Sequence, residues 1–136
     1  MKFLILPLML TSLGALASQN PSLEAVQSYC HKTSIPLLQA ALDSVEHDVG
    51  KQASTQWDNI SSNVYNNENY KSAPEEVKQT MKDTLENVIL SKKIKNDFIE
   101  DYIAHGQKDR EILAALWAQH SVEPYLIKCG YMKYNN

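Results

Sequence analysis

Apolar side chains recur at helical spacing along most of the chain, and the longest such run frames the rest. Leu38, Leu42, Val45, Val49, Ala53, Trp57, Ile60 and Val64 follow one another at steps of three or four. Such steps keep side chains on one side of a helix with 3.6 residues per turn. The stripe predicts a long helix from Leu38 to Val64, covered by the other segments. Gly50 stands in its middle. A glycine there either ends one helix as a cap or is carried inside a continuous helix at a cost of about 1 kcal/mol. The stripe keeps phase across Gly50, which favours one helix, straight or bent, over two.

Shorter patterns flank this run. Ser22 can cap a short helix in which Leu23, Val26 and Cys30 share a face, and Thr33 or Ser34 starts the next helix with Pro36 in its first turn. Asn66 to Asn69 reads as a surface loop, because asparagine tolerates turn conformations. Ser72-Ala73-Pro74-Glu75 has the spacing of a capping box. Beyond it, Val77, Met81, Leu85 and Val88 form an apolar stripe. The phase slips around Ser91, which predicts a bend or short break there. The pattern resumes at Ile94, Phe98, Ile99, Tyr102 and Ile103, and Gly106 ends it. Asp109 can cap a last helix with Ile112, Leu113, Leu116 and Trp117 on its apolar face. Pro124 bends or restarts that helix, with Ser121 as a possible new cap, and Gly130 stops it.

No stretch alternates as a strand would, and no Asn-Gly or Asp-Gly turn separates alternating runs. The expected fold is all-α: a small helical bundle of one short N-terminal helix plus three longer helices. Short connections such as residues 105–108 favour antiparallel neighbours.

The first residues change the compartment rather than the fold. Lys2, the apolar run from Phe3 to Leu13 and the small residues of Ala15-Leu16-Ala17 have the order of a secretory signal peptide cut before Ser18. The run is much shorter than the roughly 20 apolar residues of a membrane-spanning helix. The expected organisation is a signal peptide, 1–17, and one helical domain, 18–136, exported to the bacterial periplasm or secreted. Loss of Lys2 moves the formal net charge from −3 to −4. A mildly acidic chain without charge blocks lacks the electrostatic footprint of a nucleic-acid or anionic-membrane binder.

Export gives the two cysteines a role. Cys30 and Cys129 lie near opposite ends of the mature chain, and pairing is the expected state in an oxidising compartment. The bridge closes a loop of about 100 residues, for which the chain-entropy model gives roughly 4–5 kcal/mol. Two cysteines so far apart do not make a zinc site.

Candidate chemistry is sparse. His47 followed by Asp48 on a helix resembles the secreted phospholipases, in which the histidine is the general base and the aspartate helps bind calcium. The resemblance covers these two residues. The cysteine that the family sets beside them and its glycine-rich calcium loop have no counterpart here. Asp97, Asp101 and His105 recur every four residues along one helix side, but a metal site needs ligands from more than one segment. A charged helix face with Asp101 paired to His105 is the expectation. His31 and His120 are accompanied by no Ser–His–Asp order, and the four glycines form no phosphate-cradling loop. Asn59-Ile60-Ser61 matches a glycosylation pattern, but Ile60 belongs to the core stripe. No catalytic residue, metal or cofactor is therefore assigned.

Aromatic residues near polar segments are common at binding surfaces. Trp57 is in phase with the core stripe and reads as packing. Tyr65 and Tyr70, with Tyr131 and Tyr134 in the tail, are the candidate partner-binding residues. The expected function is that of an exported, non-enzymatic protein that binds another protein, such as an inhibitor or an immunity protein. One alternative is a periplasmic stress chaperone, whose acid-activated members are similar in being small, helical and single-bridged. The other is a small hydrolase using His47 and Asp48.

Overall fold

The computed structural model describes residues 23–48 and 55–131. Among the described residues six α-helices follow in order: α1 (Leu23–Glu46), α2 (Thr55–Tyr65), α3 (Glu68–Lys71), α4 (Glu75–Thr84), α5 (Lys92–Ala104) and α6 (Arg110–Gly130), with a π-helical turn at Leu85–Ile89 between α4 and α5. No strand occurs among the described residues. The architecture is the all-α bundle expected, with more and differently bounded helices.

The fold is built on α1 and α6, which share its most extensive contact. They run antiparallel. Cys30, early in α1, lies beside Cys129 at the end of α6, with Sγ atoms 2.13 Å apart and Cα atoms 5.9 Å apart. At the other end, Arg110 Nη2 donates to the Val45 carbonyl at 2.8 Å. Small side chains let the two backbones approach. Ala40, Ala41 and Ser44 on α1 and Ala114, Ala118 and Ser121 on α6 are all buried. Between the bridge and the far end, Tyr125 Oη donates to Thr33 Oγ1 at 2.6 Å. Thr33 Oγ1 in turn lies 3.1 Å from both the Tyr29 and Cys30 carbonyls, so this buried polar chain is satisfied along its length.

The short first helix and the second one expected from Thr33 are a single helix. Thr33 and Ser34 do not cap anything. Their hydroxyls bond back into the preceding turn, Ser34 Oγ donating to the His31 carbonyl at 2.7 Å. Pro36 is thus well inside α1, where a proline frees the carbonyl four residues back and costs about 3 kcal/mol. That carbonyl is Lys32's, and Asn69 Nδ2 of α3 donates to it at 3.2 Å. Pro124 is likewise inside its helix, α6. Ser121 does not start a new helix; its hydroxyl donates to the Trp117 carbonyl at 2.8 Å.

The single helix expected from Leu38 to Val64 is not formed. α1 ends at Glu46, before Gly50, and His47 and Asp48 make a turn. Asp48 takes φ +51°, the left-handed conformation that commonly stops a helix. α2 starts afresh at Thr55; Val49, Gly50 and Ala53 lie outside the described residues. Val45, Ile60 and Val64 are buried as the stripe required, and Leu38, Leu42 and Trp57 are half-buried. The deepest line of α1 passes instead through Leu37, Ala41 and Ser44, each fully buried.

Two other boundaries move for identifiable reasons. Ser72 belongs to the turn before α4, its Oγ donating to the Glu68 carbonyl at 2.8 Å, so the expected capping box is absent and Pro74 precedes the helix without a side-chain cap. The expected asparagine loop is shortened, because α3 starts inside it at Glu68, capped by Asn67, whose side chain accepts from the Asn69 N–H at 2.9 Å. The phase slip lies slightly earlier than Ser91. The Leu90 N–H bonds to the Leu85 carbonyl five residues back, and this wider turn turns Leu85, Ile89 and Leu90 all inward, each fully buried. Ser91 then caps α5. Asp109 caps α6 as expected, accepting from the N–H groups of Glu111 and Ile112. Gly106, at φ +101°, follows α5 in a conformation suited to glycine. The leader, Ser22 and Tyr134 lie outside the described residues.

Candidate functional site

The α1–α6 pair has two sides. One is covered by α2, α4, the π-turn and α5, where Trp117 and Tyr125 are 0% and 1% exposed. The other, which no further helix covers among the described residues, carries a groove between the two helices. Leu38, Leu42, Ala115, Ala118, Val122 and Leu126 line one hollow of about 460 Å³ with Gln119 and Glu123. Leu42, Ala114, Gln39, Asp43, Glu46, Arg110 and Glu111 line a second of about 490 Å³. Leu42 is common to both, so the hollows meet. Leu126 is 37% exposed, and Ala115 is exposed as well. An apolar strip left open on a helix pair can take up an apolar face of another element.

A second groove lies around the end of α1. Val45, Asp48, Lys95, Asn96, Ile99, Glu100, Ile103, Lys108, Arg110 and Leu113 line about 520 Å³. Lys95 is 1% exposed and its Nζ donates to the Ser44 carbonyl at 2.7 Å. With Arg110 on Val45, two cations from α5 and α6 close the carbonyl end of α1, where the helix dipole favours positive charge. Burial pushes the Lys95 amine down to about 8; the carboxylate of Asp48 opposes this, and Lys92 and Arg110 add to it. Lys95 and Arg110 already hold main-chain oxygens, so this groove is first a structural clasp.

The candidate binding tyrosines separate. Tyr65 and Tyr70 are half-buried, with ring centroids 5.1 Å apart. Tyr65 Oη donates to Glu86 Oε2, which ties α2 to the π-turn. Burial first, and the Glu86 carboxylate second, push the Tyr65 phenol well above its usual range. The Lys78 amine lies 5.8 Å from the Tyr70 ring centroid. Tyr131, 85% exposed, stands at the end of α6.

His47 and Asp48 sit exposed on the turn after α1 rather than on a helix, so the two-residue likeness to phospholipases lacks its helical setting. Asp97 and Asp101 share one side of α5, and His105 caps the end of that helix. Asp97 pairs with Lys93 at 2.8 Å, and His105 Nδ1 lies 2.7 Å from the Asp101 carbonyl oxygen and 3.8 Å from its carboxylate. Among the described residues no group of three His, Cys, Asp or Glu is arranged to hold a metal ion. His120 stacks on Phe98 at 4.4 Å beside Trp117, and the Asn59-Ile60-Ser61 pattern lies within α2 with Ile60 and Ser61 buried. The cysteines are together as expected.

The open groove was missed because Leu38 and Leu42 share the stripe that reads as core. The usable signal was in α6, where Leu113 to Ala118 is apolar without interruption. A helix apolar all round is buried all round or keeps one face for a partner. No protein-family model matches this chain, and no curated protein or solved structure matches it.

Proposed function

We propose that this is an exported protein that binds another protein through the open groove between α1 and α6, as a dedicated inhibitor or immunity protein does. The observation that supports this reading is the continuous apolar strip from Leu38 and Leu42 to Leu126, on the side of the central helix pair that no other described helix covers. Two long antiparallel helices, clamped at one end by the cysteine pair and at the other by Lys95 and Arg110, make a stiff platform. A stiff surface loses little conformational entropy on association, which favours affinity. The proximity of the cysteines fits an oxidising compartment, and no helix among the described residues is long and apolar enough to cross a membrane.

The test is affinity capture from envelope and secreted fractions of the source organism, with oxidised protein and its Ala115→Arg variant as parallel baits. Ala115 is on the helix surface and lines the groove, so an arginine there blocks the groove without entering the core. One stoichiometric partner held by the parent and lost by the variant is the expected result. A partner retained equally by both would place binding elsewhere.

A further inference from the structure

The groove is apolar along its floor and acidic along its edge. Asp43 and Glu46 border it from α1, Glu111 and Glu123 border it from α6, and Arg110 is the one cation among its lining residues. Four carboxylates against one guanidinium leave a formal charge of −3. Arg110 is partly engaged, one arm of its guanidinium donating to Val45. On the protein-binding reading above, we infer that the occupant is an amphipathic helix of a partner protein, with a leucine-type apolar stripe flanked by lysine or arginine.

Three features of the groove select that chemistry. Its walls are helices, whose backbone groups bond within themselves. They offer no strand edge to an extended peptide, which would leave its own N–H and C=O groups unpaired along an apolar floor. A helix brings its backbone bonds with it. Its length suits as well: from Glu111 to Leu126 along α6 is about 22 Å, or four helical turns. A third helix lying along the valley between two antiparallel ones repeats the packing that already joins the pair. The charged edge then decides the flanks. Basic side chains on either side of an apolar stripe meet carboxylates on both walls, which steers association and rejects acidic helices. The same edge disfavours a second copy of this chain as occupant. A two-fold contact would set this acidic rim against itself.

Three helical peptides of about 18 residues, sharing one Leu/Ala stripe and carrying Lys, Gln or Glu on its flanks, are the probes. Each is titrated into the oxidised protein by fluorescence anisotropy. The Lys peptide is expected to bind roughly tenfold or more tightly than the Gln peptide, with the Glu peptide weakest. Its affinity is expected to fall as salt rises from about 0.05 M to about 0.5 M. Ala115→Arg should abolish binding. The double variant Glu46→Lys with Glu123→Lys, two exposed positions, should weaken the Lys peptide roughly tenfold while its thermal melt stays that of the parent. Equal binding of all three peptides, lost in Ala115→Arg, would overturn the basic-helix inference and leave the groove as a protein-binding site. Lys-peptide binding that survives Ala115→Arg, or none at about 100 μM, would also overturn it. So would a dimer in sedimentation that Ala115→Arg dissociates. Loss of the captured partner remains the separate test of the groove itself.

Discussion

The two sides of the α1–α6 pair are made by the same two helices and do opposite things. On the covered side, Leu37, Ala41 and Ser44 face Trp117, Ser121 and Tyr125 under the layer formed by α2 to α5, and all are buried. On the open side, Leu38 and Leu42 face Ala115, Val122 and Leu126 across a groove edged with carboxylates. Apolar residues are present on both. What differs is the identity of the positions between them. The covered side uses hydroxyls that bond back to main-chain carbonyls, such as Ser44 to Ala41 and Ser121 to Trp117, both at 2.8 Å. The open side uses Asp43, Glu46, Glu111 and Glu123, which water must reach. Hydroxyls that satisfy themselves line the covered side, where the buried cation Lys95 is held by the Ser44 carbonyl; carboxylates edge the side that no other described helix covers.

The strongest way to break the comparison is to empty the covered side. Trp117 is fully buried against Phe98, with ring centroids 5.5 Å apart. Trp117→Ala is expected to cost about 3–5 kcal/mol in urea unfolding monitored by circular dichroism. A loss under 1 kcal/mol would mean that the stability does not reside on that side. Nearly as large is the effect of the clamp at the end of the pair. The cysteines are 99 positions apart, and Cys30→Ser with Cys129→Ser is expected to lower stability by about 2–5 kcal/mol through the loop entropy returned to the unfolded chain. The same unfolding experiment reads it.

How much of this arrangement is visible in the sequence depends on which residues carry it. Large apolar residues at helical steps announce the helices, and Asp109, Gly106 and the cysteine pair act where they were expected to act. The central seam is harder to see because it is made of alanine and serine. Ala40, Ala41, Ala114 and Ala118 gain burial by letting backbones approach, and alanine is common on exposed helix faces too. At Pro36 the freed carbonyl of Lys32 is taken up by Asn69, 37 residues from Lys32, and local patterns do not contain such a partner. α5 is the extreme case. Its apolar stripe leaves Ile94 43% and Ile103 40% exposed, whereas Lys95 is the α5 residue that is buried. Lysine enters there because α1 ends against it with unpaired carbonyls, a need that exists only once the helices are assembled. The open groove was equally hidden, since core and docking faces have the same spacing until the covering layer is placed.

Lys95 gives a smaller and pH-dependent test of the covered side. Burial lowers its folded-state value to about 8 from an ordinary 10.5. Above about pH 8 the folded protein releases this proton while the unfolded chain keeps it. The unfolded state then binds more protons, so stability rises with pH until the unfolded lysine also titrates. Stability is expected to increase by about 1–2 kcal/mol between about pH 7.5 and about pH 9.5. The upper limit keeps clear of Tyr29, Tyr65 and Tyr70, whose raised values act in the opposite sense at higher pH. Lys95→Met should flatten this slope. A slope unchanged in the variant would assign it to another group.

The smallest expected effect on stability sharpens the comparison most. Ala115 is surrounded on α6 by Ala114, which is 8% exposed, and Leu116, which is half-buried, yet it stands on the open side with its Cβ toward the groove. Arginine is a good helix former, so Ala115→Arg changes helix propensity by only a few tenths of a kcal/mol. No covered residue is disturbed, and the new cation lies within a net acidic rim. The urea midpoint is expected to stay within about 0.5 kcal/mol of the parent. Loss of the captured partner with that midpoint unchanged would separate binding from stability at one residue, one position from a core alanine. A loss of about 2 kcal/mol or more would instead show that the groove is part of the packed core, and the distinction between the two sides would fail.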